Sequence, residues 1–350
     1  MVSHGAKAPF SVWRLGPISL RFEQRALVAA VGLTFGLLLV SLLSLSAGSY
    51  PMNALEALKS ALGVGDQAHD FIVHQIRLPR LLTGVLAGAA FGVSGAIFQS
   101  LARNALASPD VLGFNAGCSL GAVAAIVFIS TDVLTVTLGA VLGGVIAAAL
   151  VFGLAWQNGI APFRLILIGI GIGAMLYASV DFLLTRTDIY RAGQAIEWLI
   201  GSLNARNWGH VERTSIGLVL LLPIALSLQY GLNRLALGDD LATGLGLSIN
   251  RLRLLACLVG VLLVALAVSV VGPIAFVAFV AGPIARRIAA TSSAALGTSA
   301  LVGAIVLTAA DIAGRVALPE TDLPAGVFTA ILGAPYLLWL LSTQFRKGIL

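Results

Sequence analysis

Charge is scarce in this chain. Only 10% of its 350 residues are charged, against roughly 25% in an average globular domain. Hydrophobic residues make up 59%, and the mean hydropathy is +1.00. A soluble core of this length cannot hide so much apolar surface, so part of the solvent is lipid. Cysteine is nearly absent. Cys118 and Cys257 lie far apart in apolar segments, which excludes metal or redox spacing and leaves two small packing residues. The four histidines (His4, His69, His74, His210) are scattered over polar segments without ligand spacing. Phosphate-loop and H-E-x-x-H motifs are missing, as are carboxylates paired for catalysis. An intramembrane serine protease needs a histidine in a span, and none lies in one. The enzyme reading is therefore weak, and any driving ATP hydrolysis belongs to another chain. No cofactor, resident metal or nucleic-acid partner is expected.

What is present is a series of long uncharged runs. A basic tail, 1–25 (Lys7, Arg14, Arg21, Arg25), precedes an apolar run from Ala26 to about Ser46. That run is too long for a signal-peptide core, so it reads as a retained transmembrane helix. Spans are predicted at 26–47, 81–101, 112–130, 133–155, 164–184, 212–231, 252–271, 274–290, 296–314 and 324–343. The expected architecture is an all-α polytopic bundle of about ten helices: one transmembrane domain over 26–345, with tails at 1–25 and 346–350. Only Gly272-Pro273 separates the seventh span from the eighth; counted as one kinked helix, they leave nine. With the N-terminus cytoplasmic, thirteen basic residues fall inside and eight outside, the sign the positive-inside rule requires.

Small residues recur every four positions at Gly84, Gly88, Gly92 and Ala96, and at Gly113, Gly117 and Gly121. Such ridges let helix backbones approach closely within lipid. Residues 51–70 read as an outside amphipathic helix. AGQAIEWLIGSLNARNW (192–208) is too short and polar to span and reads as a short helix against the outer mouth. In the inside loop 234–253, Gly238 offers a break, and Asp239 and Asp240 suit a helix start. This stretch is either a helix forming a docking knob or a solvated loop. Asp181 and Asp311 are the main acidic residues in spans. Asp311 and Arg315, four apart on one face, either neutralise each other or serve transport.

Motifs of higher specificity follow. RLPRLLTGVLAGAAFGVSGAIFQSLARNALASPDVLGFNAG (77–117) resembles the permease subunits of the iron-siderophore and cobalamin ABC importers, the FecCD type. So do LGDDLATGLGLSINRLR (237–253), GPIAFVAFVAGPIARRI (272–288), WLIGSL (198–203) and DIAGRVALPETDLPAGVFTAILGAPYLLWLL (311–341). They occur in the family's order over about 50–345. FQSLARN and SPDVLGFN are most similar to ferric-enterobactin permeases of the second-subunit kind.

The resemblance implies a type II importer: two related permeases side by side, a heterodimer or else a homodimer. It also implies two cytoplasmic ATPase subunits and an external binding protein that delivers ferric siderophore, with haem or cobalamin as alternative cargoes. Membrane lipid surrounds the assembly. An ion-coupled secondary transporter is the rival class. By position, Arg77, Arg80 and Arg315 match arginines that meet the binding protein's glutamates. Asn104 and Leu106 match the inner gate, and Asn158, Gly159 and Phe163 match its companion constriction. Gly238, Asp239, Asp240, Ala242, Leu245 and Gly246 match the ATPase-coupling segment. Trp198, Gly201 and Ser202 match the outer gate. Two positions depart from the family: Ala105 stands where proline is usual, and Gly282-Pro283 where proline-histidine is frequent.

Overall fold

The segment ISLRFE alternates apolar and polar residues with the period of a strand. In the computed structural model, which describes residues 10–15, 18–48, 50–157, 161–318 and 322–346, this part of the expected tail is a hairpin. Strand β1 (Phe10–Leu15) pairs antiparallel with β2 (Ile18–Glu23), Phe10 opposite Glu23.

Among the described residues, the regular elements after the hairpin are helices, joined by turns and short extended stretches. Helix α1 (Gln24–Ser46) follows β2 directly. Helix α2 (Ala54–Ala61) starts at a capping box, Asn53 Oδ1 accepting from the Glu56 N–H and Glu56 from the Asn53 N–H, both at 2.9 Å. Helix α3 (Gln67–Ile72) runs through a π turn at Val73–Arg77 into α4 (Leu78–Ala102). Then come α5 (Phe114–Phe128), α6 (Val133–Ala155), α7 (Pro162–Arg186), α8 (Ile189–Ile200) and α9 (Trp208–Leu235). The chain ends with α10 (Asp239–Gly244), α11 (Ile249–Val271), α12 (Val277–Ile288), α13 (Leu296–Val316) and α14 (Ala325–Arg346).

All ten predicted spans coincide with a helix. Among the described residues, however, only eight helices are long and apolar enough to cross a membrane. The other two are short for a physical reason. Helix α5 has 15 residues, about 22 Å at 1.5 Å per residue, because the chain turns through 103–113 before Gly113, at φ 79°, starts it. Helix α12 has 12 residues, about 18 Å, because Pro273–Ala275 are non-helical and Phe276 adopts φ 68°. Neither reaches the roughly 30 Å of a hydrocarbon core.

Helix α4 is the central post. Its most apolar window is 78% buried against 6% for α1, and it packs on α9, α11, α12 and α13. Its glycine ridge faces α13: a Cβ on Gly88 would stand 2.5 Å from the Gly303 carbonyl oxygen. Gly121 meets Gly139 of α6 in the same way, at 2.0 Å. Phe91, Phe98 and Phe114 fill the space beside these ridges. The peripheral helices α1, α6, α7, α9 and α14 turn residues such as Leu38, Leu142, Leu167, Leu220 and Leu338 outward, as lipid contact requires.

The bundle has two ends. The near end carries Gln24, the 103–113 segment and α10. The far end carries α2, α8 and the arginines discussed below.

Candidate functional site

At the near end, α4 stops at Arg103, which adopts the left-handed conformation with φ 49°. The next residues form a tight turn. The Ala107 N–H donates to the Asn104 carbonyl at 3.1 Å, and the Asn104 side-chain oxygen accepts from the Leu106 N–H at 2.9 Å. Ala105 thus sits second in a four-residue turn, where proline pre-sets the backbone. The side chain of Asn104 braces the turn from within.

Asn104 and Leu106 border a cavity of about 460 Å³ that also touches Asp110, Ile166, Phe276 and Leu337. Asp110 accepts hydrogen bonds from the Asn115 side chain and from the backbone N–H of Phe276. One carboxylate therefore joins the starts of the two short helices, α5 and α12, in the cavity wall. Asn158 and Gly159 lie outside the described residues. Phe163 is exposed on the first turn of α7, on the face that carries Ile166 and Ile170 into the cavity.

Helix α10 lies just beyond. Gly238 precedes it at φ 108° and Gly246 follows at φ 80°, so both ends bend sharply. Ala242 is buried, while Leu237, Leu241 and Leu245, four apart, are exposed. Asp240 shares the first turn with Asp239. Asp239 is ion-paired to Arg103 and, at 3.0 Å, to Arg253 of α11. Helix α10 is tied to the end of α4, where the 104–107 turn begins, by its first residue.

Gly282 has a local reason. A Cβ there would stand 2.3 Å from Gln99 Oε1. Gln99 is held at both ends, donating to the Phe279 carbonyl and accepting from Arg286, each at 2.8 Å.

At the far end, Trp198, Gly201 and Ser202 form a junction. The Ser202 N–H donates to the Val271 carbonyl at 2.9 Å, and the Gly326 N–H donates to the Gly201 carbonyl at 3.1 Å. Gly201, at φ 75°, lies so close to Ile274 that a Cβ would stand 2.8 Å from it. The motif links α8 to α11 and α14. Trp198 also borders a second cavity of about 300 Å³, with Gln194, Arg206 and His210. Burial and the nearby Arg80 hold the Arg206 guanidinium below its ordinary pKa.

The three arginines are each engaged inside the protein. Arg77 donates to the carbonyls of Leu45 and Tyr50, both at 2.6 Å, and of Ser46 at 3.1 Å, so it closes the end of α1. Arg315 donates to the carbonyls of Ser44 and Ala47, both at 3.0 Å, and lies 3.2 Å from Asp311. Arg80 grips Asp311 at 2.8–3.1 Å through Nε and Nη2 and reaches Asp322 at 2.9 Å through Nη1. Asp311, read as the partner of Arg315, is shared between two cations. The sequence places Asp110 in the polar break with Arg103 and Asn104 but gives it no role, and it does not mark Asp322 or Gln99. The polar SPD within an apolar context was the available signal for Asp110; no local pattern marked the other two.

A bundle with, among the described residues, eight helices long and apolar enough to cross a membrane, and a cavity of about 460 Å³ at one end, is the architecture of a membrane transport permease. The chain belongs to the FecCD transport family, whose profile matches residues 36–343. The ferric enterobactin transport system permease protein FepG of Escherichia coli (strain K12) is 41% identical over 325 residues, 93% of this chain and 98% of that protein. The Fe(3+)-citrate import system permease protein YfmE of Bacillus subtilis (strain 168) is 38% identical over 331 residues, again 93% and 98%. A solved metal-chelate type ABC transporter in an inward-facing conformation superposes with a TM-score of 0.80 at 28% identity, covering 91% of this chain and 99% of that one.

Proposed function

We propose that this chain is one membrane-spanning half of an ATP-driven importer for ferric siderophores of the catecholate type, paired with a second, related permease. The observation that carries the reading is the Arg103–Asp239 ion pair, because it joins the inner gate turn to the knob an ATPase subunit would grip. The near end is then cytoplasmic, as are both termini. Leu241 of α10 and the flanking Leu237 and Leu245 are the apolar face that enters a cleft on the ATPase. Nucleotide binding moves α10; Asp239 pulls Arg103; the Asn104–Ala107 turn shifts and the cavity opens inward. ATP supplies the free energy through its different affinity for the two conformations.

The far end receives an external binding protein at its arginine cluster, with Trp198, Gly201 and Ser202 at the outer gate. Asn158, Gly159 and Phe163 are assigned to the inner constriction by resemblance. Asp311 is bound to two arginines, which disfavours it as the coupling site of an ion-driven transporter. The catecholate assignment rests on the 41% relative; the citrate relative makes ferric citrate the competing cargo. Uptake of radiolabelled iron as ferric catecholate, citrate, hydroxamate, haem and cobalamin by cells carrying the whole operon tests it. Saturable uptake of the catecholate alone is expected; preference for another chelate replaces the cargo. Transport by this chain alone, without ATP, overturns the importer reading.

A further inference from the structure

Of the three far-end arginines, Arg77 and Arg315 are committed to backbone carbonyls at the end of α1. Arg80 differs. Two of its nitrogens hold Asp311, which is 3% exposed, and the third holds Asp322, which is 40% exposed. Asp311 is fixed within α13 and has a second cation in Arg315. Asp322 stands just before α14, and Arg80 holds it at 2.9 Å. Arg80 therefore has one buried, permanent counter-ion and one counter-ion at the surface.

We infer that Asp322 occupies, in the free permease, the position on Arg80 that a carboxylate of an acidic docking partner takes over when it binds. The inference rests on the proposed docking of the binding protein at this end. Exchange of one carboxylate for another keeps the Arg80 Nη1 bonded throughout, so docking never strands that donor while Asp311 holds the other two nitrogens. The exchange costs little and yields little, which gives register and discrimination rather than raw affinity. It also sets the field at this end. Among the described residues, Arg80 and Arg315 share Asp311, and Arg80 also holds Asp322; without the Asp322 charge the two cations share one carboxylate, and Arg206 adds to the positive surroundings. Removing the Asp322 charge should thus attract an acidic partner more strongly. The same exchange releases the ionic tie between α4 and the start of α14, whose Leu337 borders the gate cavity.

The test uses the complete transporter in lipid nanodiscs and its binding protein, with Kd read at low and high salt. Asp322→Asn should tighten docking about fivefold at low salt, the size of one exposed charge interaction, and the gain should shrink at high salt. In an Arg80→Gln/Asp311→Asn background, which removes the cation and its buried partner together, Asp322→Asn should keep only the small gain that the field of the remaining arginines supplies, well under about twofold. Asp322→Ser serves as a second neutral variant if the Asn form assembles poorly. If Asp322→Asn leaves docking unchanged or weaker while Arg80→Gln/Asp311→Asn weakens it, docking at Arg80 stands and the exchange is wrong. If neither set of variants alters docking, the docking reading falls and takes the exchange with it.

Discussion

Arg103, the residue that closes α4, is ion-paired to Asp239, the residue that opens α10. They are 136 positions apart in the chain. The pair sits between two predicted functional segments, the gate turn and the coupling knob, and gives them a shared mechanical element. Arg253 grips the same carboxylate from α11, so Asp239 ties α10 both to the end of α4 and to the core of the bundle.

Arg77→Ala should destabilise the fold before it affects any partner. It leaves the carbonyls of Leu45, Ser46 and Tyr50 without their donor. A hydrogen bond to a charged group contributes about 1.5–3 kcal/mol. The expected loss is about 2–3 kcal/mol, read as a fall in the melting temperature of the purified permease. A variant that melts like wild type but docks poorly would place Arg77 at the interface.

Gly95→Ala should damage the bundle, whereas Gly32→Ala should be tolerated. A Cβ at Gly95 would lie 1.7 Å from the Ala278 carbonyl oxygen, a backbone atom that cannot turn aside; at Gly32 it would meet nothing within 4 Å. Overpacking costs about 1–3 kcal/mol or more. Thermal melting of the two variants side by side checks the contrast, and equal melting contradicts the α4–α12 contact.

Ala105→Pro should be accepted and should stiffen the gate turn. Position 105 is second in the Asn104–Ala107 turn, and proline at a compatible site stabilises by about 0.4–1 kcal/mol. Slower hydrogen exchange at Leu106 and Ala107 is the expected readout; faster exchange would show that the turn differs.

Asp110→Ala should cost more than Asp110→Asn. Alanine strands two donors, the Asn115 amide and the Phe276 N–H, while asparagine still offers an acceptor oxygen. A buried donor left unsatisfied costs about 1–3 kcal/mol. Equal melting temperatures for the two variants would remove Asp110 from its joining role.

Much of this architecture was legible in the chain because lipid imposes it. Uncharged length placed all ten segments, and the polar stretch RNALASPD (103–110) marks where α4 ends and the chain turns. Gly272-Pro273 reads as a turn, but Ile274–Phe276 fall within the eighth predicted span because they are apolar; hydropathy does not record that the helix starts only at Val277. The Asp311–Arg315 pair was readable because four residues make one helical turn. The ties from Arg80 to Asp311 and Asp322 were not, since 231 and 242 residues intervene and only the folded bundle closes them. Asp239 was visible as a helix start, but not as an anchor for Arg103.

The most direct test of the account is the ratio of substrate uptake to ATP hydrolysis in proteoliposomes carrying the complete transporter with Arg103→Ala or Asp239→Asn. The account predicts that hydrolysis continues while uptake per ATP falls at least about tenfold, the effect of losing roughly 1.4 kcal/mol of coupling. Unchanged uptake per ATP in both variants would contradict it.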